Sequence, residues 1–78
     1  MQYPVNRFMK IFKINLRRER LLAGYTQQYM AEKLNIMLRA YQAYESLGKS
    51  GRTPDLEMVV RIAEVLDITT DELLGKKT

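Results

Sequence analysis

The chain has no cysteine, no histidine and no tryptophan. Without cysteine there is no disulfide framework, no thiolate nucleophile and no zinc cluster of the usual kind. Without histidine it lacks the commonest general base and the commonest metal ligand. Its apolar runs stop after a few residues, far short of the roughly 18 that span a bilayer. The N-terminus has no signal-peptide apolar core. At 78 residues there is room for one modest core and no deep catalytic cavity. These absences exclude most enzyme chemistry. The expectation is a soluble, cytoplasmic protein with no metal, no cofactor and no membrane partner.

What is present is charge, unevenly placed. The net charge is +4. Residues 1–25 carry Arg7, Lys10, Lys13, Arg17, Arg18 and Arg20 against Glu19 alone. Lys49 and Arg52 add two more cations, and Lys76 and Lys77 close the chain. Residues 55–74 set Arg61 against Asp55, Glu57, Glu64, Asp67, Asp71 and Glu72. A basic part and an acidic part in one small chain fit a polyanion partner for the basic part, or a solvated surface.

The punctuation predicts five helices and no strand. The first begins near Asn6 and runs to about Ala23, with Phe8, Ile11, Phe12, Leu16, Arg20 and Ala23 on one face and Gly24 as its stop. Thr26 caps the second, Gln27–Leu34, which turns Met30, Ala31 and Leu34 inward and ends at Asn35. The third runs from about Met37 to Ser46, with Tyr41 and Tyr44 inward. Residues 47–53 read as a loop. Asp55 caps the fourth, whose core stripe is Leu56, Val59, Ile62, Ala63 and Leu66. Thr69 and Glu72 form a capping box for the fifth, which ends at Gly75. The fold class is all-α.

The pair of short helices at 26–46 is the informative feature. Ala31 lets one helix pass close to the other, Asn35 makes a sharp left-handed turn, and Met30, Leu34, Ile36, Tyr41 and Tyr44 form an apolar wedge between them. This is the pattern of a tight helix-turn-helix. Leu38, Arg39 and Gln42 remain on the outer face, with Ala43 beside them. The pattern alone fits DNA binding or any small helical hairpin.

The sequence resembles the lambda-repressor/Cro-type helix-turn-helix family of bacterial and phage DNA-binding regulators. The matching residues are Leu16, Arg20, Gly24-Tyr25-Thr26-Gln27, Met30-Ala31-Glu32-Lys33-Leu34, Tyr41-Gln42, Tyr44-Glu45, Pro54-Asp55-Leu56-Glu57, Ile62-Ala63, Leu66 and Thr70 to Gly75. The resemblance implies a small, sequence-specific regulator of transcription, a repressor, bound to double-stranded operator DNA in the nucleoid. It implies base contacts from Leu38, Arg39, Gln42 and Ala43, with Arg39 shared between base and phosphate. It implies phosphate contacts from Gln27, Met37, Lys49 and Arg52, and a structural ion pair between Arg20 and Glu45. It also implies a homodimer through the C-terminal part of the fourth helix, the fifth helix and the tail. There Met58, Ile62 and Val65 form a second apolar stripe, joined by Leu73 and Leu74.

Three departures stand out. Met37 occupies the cap position of the third helix, where the family has Ser or Thr. Glu19 stands where the first helix turns a small or apolar residue inward. The loop before Pro54 is about three residues longer than usual. Residues 1–11 read as a partly helical extension, 12–75 as the DNA-binding domain and 76–78 as a basic tail. The rival reading is an antitoxin or protein-interaction module of the same fold, with a protein partner such as a toxin.

Overall fold

The structure, a computed structural model, describes residues 5–75. Five helices follow in order: α1 Val5–Leu22, α2 Gln27–Leu34, α3 Leu38–Glu45, α4 Leu56–Leu66 and α5 Thr70–Leu74. The expected boundary between extension and domain falls inside α1, which is continuous across residues 11 and 12. Residues 1–4 of the expected extension and the tail at 76–78 lie outside the described residues.

Each helix start has a local cause. The Thr26 hydroxyl accepts the Tyr29 N–H at 3.0 Å. The Asp55 carboxylate accepts the Met58 N–H at 2.9 Å. Thr69 and Glu72 exchange the two bonds of a capping box, at 3.0 and 2.9 Å. Met37 caps α3 with no side-chain bond, which costs about 1 kcal/mol against Ser or Thr. Asn35 turns the chain between α2 and α3 at φ 57°, and Asp67 does the same after α4 at φ 56°. Short polar side chains tolerate this left-handed region best after glycine.

The helices bury one core: Phe12, Leu16, Met30, Ala31, Leu34, Tyr41, Ile62, Ala63, Leu66 and Leu73. Helix α1 packs on α3 and α5, α2 on α3 and α4, and α4 on α5. Several expected core positions lie outside. Leu56 is 79% exposed, Phe8 is 55% exposed and Ala23 is exposed. Leu56 sits in the first turn of α4, whose buried residues are confined to its later turns. Ile62 and Leu73, expected in a dimer interface, are fully covered inside the chain's own core. The stripe expected for dimerisation therefore loses two of its five members.

Three helix C-termini are closed by side chains from other helices. The Arg61 guanidinium donates to the Leu34 carbonyl at the end of α2 (2.7 Å). The Asn15 amide donates to the Leu73 carbonyl in α5 (3.2 Å). Lys13 Nζ donates to the Ala43 and Tyr44 carbonyls in the last turn of α3 (2.9 and 3.0 Å) and to the Arg52 carbonyl (2.6 Å). The last four carbonyls of any helix have no partner within it, and here tertiary contacts supply one.

The loop after α3 folds back on that helix. The Arg52 N–H donates to the Ala43 carbonyl at 2.9 Å, and the Gly51 N–H to the Gly48 carbonyl at 3.0 Å. A Cβ on Gly51 would clash with the Ser46 carbonyl oxygen, whereas one on Gly48 would meet nothing closer than the Ser46 Oγ at 3.8 Å. Gly51→Ala is therefore expected to cost roughly 1–3 kcal/mol through overpacking, and Gly48→Ala to leave stability almost unchanged. Thermal melts of the two variants side by side check this; equal midpoints would show that the loop yields freely.

Candidate nucleic-acid interface

The return of the loop onto α3 builds a concave surface of about 760 Å³. Met37, Arg39, Gln42 and Ala43 line it from the helix side, and Lys49 and Arg52 from the loop side. Six of the eight residues expected to contact DNA thus face one hollow. Leu38 lies outside its lining, at 36% exposure. Gln27 also lies outside and touches the site through Gln42.

The polar groups of this face are wired to the core. Gln42 Nε2 donates to Gln27 Oε1 at 3.3 Å, and Gln27 Nε2 donates to Glu45 Oε1 at 3.1 Å. Glu45 takes two further bonds from Arg20, Nε to Oε2 at 2.6 Å and Nη2 to Oε1 at 3.2 Å. The Tyr41 hydroxyl also donates to Glu45 Oε2. Arg20 uses its remaining arm on the Tyr25 carbonyl, Nη1 to O at 2.9 Å. The side chains of Arg20 and Glu45 are 9% and 4% exposed. This fork geometry suits a planar guanidinium, and a lysine cannot reproduce it.

The electrostatics follow from the wiring. Burial pushes the Glu45 carboxyl up, but the bonds from Arg20, Tyr41 and Gln27 outweigh it and hold the group below the ordinary carboxylate value. The bond to Glu45 holds the Arg20 guanidinium above its usual value, against the opposing pull of burial. Burial, then the bond to Glu45, raises the Tyr41 phenol, so it remains a donor at any physiological pH.

The network constrains how the outer face can act. Gln27 spends one donor and its carbonyl on neighbours, and Gln42 spends one donor on Gln27. Gln42 keeps its carbonyl and its second N–H free of partners among the described residues. An amide with one donor and one acceptor available matches the N6/N7 edge of adenine. Arg39 is exposed and makes no ion pair among the described residues, so its guanidinium is open to a partner. Lys49 and Arg52 are exposed as well.

Lys13 is the residue that sequence reasoning missed. It is 7% exposed, and its three bonds hold the end of α3 and the Arg52 carbonyl in one place. Burial lowers its pKa, while two carbonyl oxygens at the negative end of α3 and a third from the loop favour its charged form. The signal lay in spacing. Lys13 stands three residues before Leu16 and seven before Arg20, which places it on the inward side of α1. Glu19, the other anomaly of α1, is half-buried and reaches Arg18 Nε at 3.7 Å. Among the described residues no cluster of Asp or Glu is arranged to hold a metal ion. No helix there is long and apolar enough to cross a membrane.

A helix-turn-helix family model matches residues 16–73. The chain is 44% identical over 64 residues to YqaE of Bacillus subtilis, an HTH-type transcriptional regulator; the match covers 82% of this chain and 53% of the relative. It is 39% identical over 61 residues to the HTH-type transcriptional regulator ImmR of Bacillus subtilis, covering 78% and 46%. It is 41% identical over 68 residues to the cryptic phage CTXphi transcriptional repressor RstR of Vibrio cholerae, covering 87% and 57%. The chain spans about half the length of these relatives. No solved structure gives a significant match. The chain belongs to the lambda-repressor/Cro-type helix-turn-helix family.

Proposed function

We propose that this chain binds double-stranded DNA at a specific sequence, with α3 in the major groove, and regulates transcription as a repressor. The observation that carries this reading is the single hollow joining Arg39 and Gln42 to Lys49 and Arg52. Arg39 forks onto a guanine edge and Gln42 pairs with adenine, while Ala43 and Leu38 touch thymine methyls. Lys49 and Arg52 take the flanking phosphates, which set register and carry no sequence information. Gln27 braces Gln42 and reaches the backbone from the start of α2, and Met37 lies against it. The names of the relatives, transcriptional regulators and a phage repressor among them, support the same reading. The acidic 55–74 stretch turns away from the duplex. No reaction and no cofactor enter this function.

A two-fold dimer completes the proposal. Met58 and Val65 are partly exposed and Leu74 is 39% exposed, so these three remain available on α4 and α5. A two-fold axis there sets two α3 helices on successive major grooves, about 34 Å apart.

Selection of bound sites from random duplex DNA should return a palindromic motif occupied by two chains. On that site Arg39→Ala and Gln42→Ala should each lose roughly 1–3 kcal/mol, and less on scrambled duplex. Lys49→Ala and Arg52→Ala should weaken every duplex alike. Each should flatten the plot of log affinity against log salt by about one unit for every phosphate no longer neutralised. If the Arg39 and Gln42 variants discriminate as well as the unmodified chain, the reading face is elsewhere. One chain per site would remove the dimer.

A further inference from the structure

Helix α1 has a second face that the core does not use. Ile14 and Leu21, seven residues apart, lie on the side of α1 opposite Phe12 and Leu16. They are 53% and 56% exposed, and Leu22 beside them is 74% exposed. Leu47, from the loop after α3, is 58% exposed and faces them. These four side chains floor a groove of about 540 Å³ whose rim is Arg17 and Arg18. A solvent-facing helix side is ordinarily polar, so an apolar floor under a cationic rim calls for a partner.

The charge identifies that partner. Arg7 and Lys10 continue the same side of α1 for two turns toward its N-terminus, by helical spacing. Among the described residues Arg17 meets no carboxylate, and Arg18 has only the 3.7 Å contact with Glu19. Glu45 also lines the groove, but Arg20 neutralises it. A second copy placed here about a two-fold axis would set Arg17 and Arg18 against their own equivalents, which repel. A flat lipid surface does not fill a groove with walls from two elements. A helix with a row of apolar side chains and flanking carboxylates satisfies both floor and rim.

We propose that the groove between α1 and Leu47 docks an acidic amphipathic helix of a partner protein. Its apolar side chains sit over Ile14, Leu21 and Leu22, and its carboxylates meet Arg17 and Arg18. The groove shares no lining residue with the hollow beside α3, so this inference stands apart from the DNA-binding reading.

The test titrates the isotope-labelled full chain with a synthetic helical peptide of about 16 residues, long enough to be helical when bound. The peptide carries leucine at i, i+4, i+7 and i+11 and glutamate on its flanks. Backbone shifts should concentrate at residues 14–22 and 47. Leu21→Ser and Leu22→Ser, both at exposed positions, should each weaken binding roughly tenfold. Arg17→Glu with Arg18→Glu should reverse the preference toward a lysine-flanked peptide. Equal binding of a scrambled peptide, or no shifts on this face, overturns the proposal. Binding of phosphatidylglycerol vesicles in place of the peptide assigns the face to a membrane and overturns it too. So does self-association of the unmodified chain that Leu21→Ser abolishes, which would assign the face to a second copy.

Discussion

Arg20→Ala is expected to lower the melting temperature by roughly 12–24 °C. The variant leaves the Glu45 carboxylate buried beside Tyr41 and Gln27 with no cation. Stripping one partner from a buried pair costs about 3 kcal/mol or more. In a domain of this size each kcal/mol moves the midpoint by about 4–8 °C. Glu45→Ala should cost a similar amount, because it leaves Arg20 buried with only the Tyr25 carbonyl. The double variant should lose clearly less than the sum of the two; strict additivity would show that the pair contributes nothing beyond its separate parts. The network also sets an acid limit. Glu45 is held below its ordinary value of 4.5, so its contribution is complete above about that pH. It is lost as pH falls through the lower folded-state value. Arg20 stays charged throughout this window. Acid unfolding followed by circular dichroism should show stability declining below about pH 4.5, and Glu45→Gln should flatten that decline. An unchanged acid limb in Glu45→Gln would place the titration elsewhere.

Lys13→Met is expected to weaken both the fold and the grip on DNA. Methionine keeps the length of the stem and removes the ammonium. The Ala43 carbonyl still receives the Arg52 N–H, but the Tyr44 and Arg52 carbonyls lose the partner that Lys13 supplied. These carbonyls are only partly buried, so about 1 kcal/mol each, the lower end for an orphaned acceptor, gives a midpoint drop of roughly 8–16 °C. The loop that presents Lys49 and Arg52 should loosen as well. Amide exchange at Gly51 and Arg52 should accelerate more than exchange in α2. On the proposed phosphate contacts of Lys49 and Arg52, the salt slope of DNA binding should fall as well. Uniform acceleration across all five helices would mean that Lys13 serves global stability and has no particular hold on the loop.

Much of the architecture was legible because it rests on local chemistry. Thr26, Asp55, Thr69 and Gly75 mark helix ends by their own side chains or by the lack of one. The spacing of Ala31, Asn35 and Tyr41 marks the close crossing of α2 and α3. Contacts between distant residues were not legible in this way. Lys13 reads as one more surface cation until its stem is seen to lie inward and its ammonium to meet carbonyls 30 and 39 residues away. Leu56 fits the apolar stripe of α4, yet at the very start of that helix it stays exposed while Val59 is half-buried and Ile62, Ala63 and Leu66 are buried. Ile62 belongs to two stripes by spacing, and the choice between core and interface depends on how α4 is rotated against its neighbours. A helical wheel does not contain that rotation. The gathering of Arg39 and Gln42 with Lys49 and Arg52 depends on a loop conformation set by Gly51 and the Arg52 N–H, which no periodicity reveals.

Closing the ends of α2, α3 and α5 with side chains from elsewhere has a consequence for how the chain acquires its shape. Helices of eight, eight and five residues are too short to persist alone in water. Local backbone groups close some of their last carbonyls, but those of Leu34, Tyr44 and Leu73 are met by side chains only once α1 and α4 have arrived. The 26–46 segment excised as a peptide should therefore be mostly coil, and no sub-fragment should retain recognition. Nicking the backbone at the exposed 47–50 turn would separate Lys13 from the Arg52 carbonyl it holds and α2 from Arg61. Assembly is then all-or-none, so a single cut in that turn should unfold all five helices together.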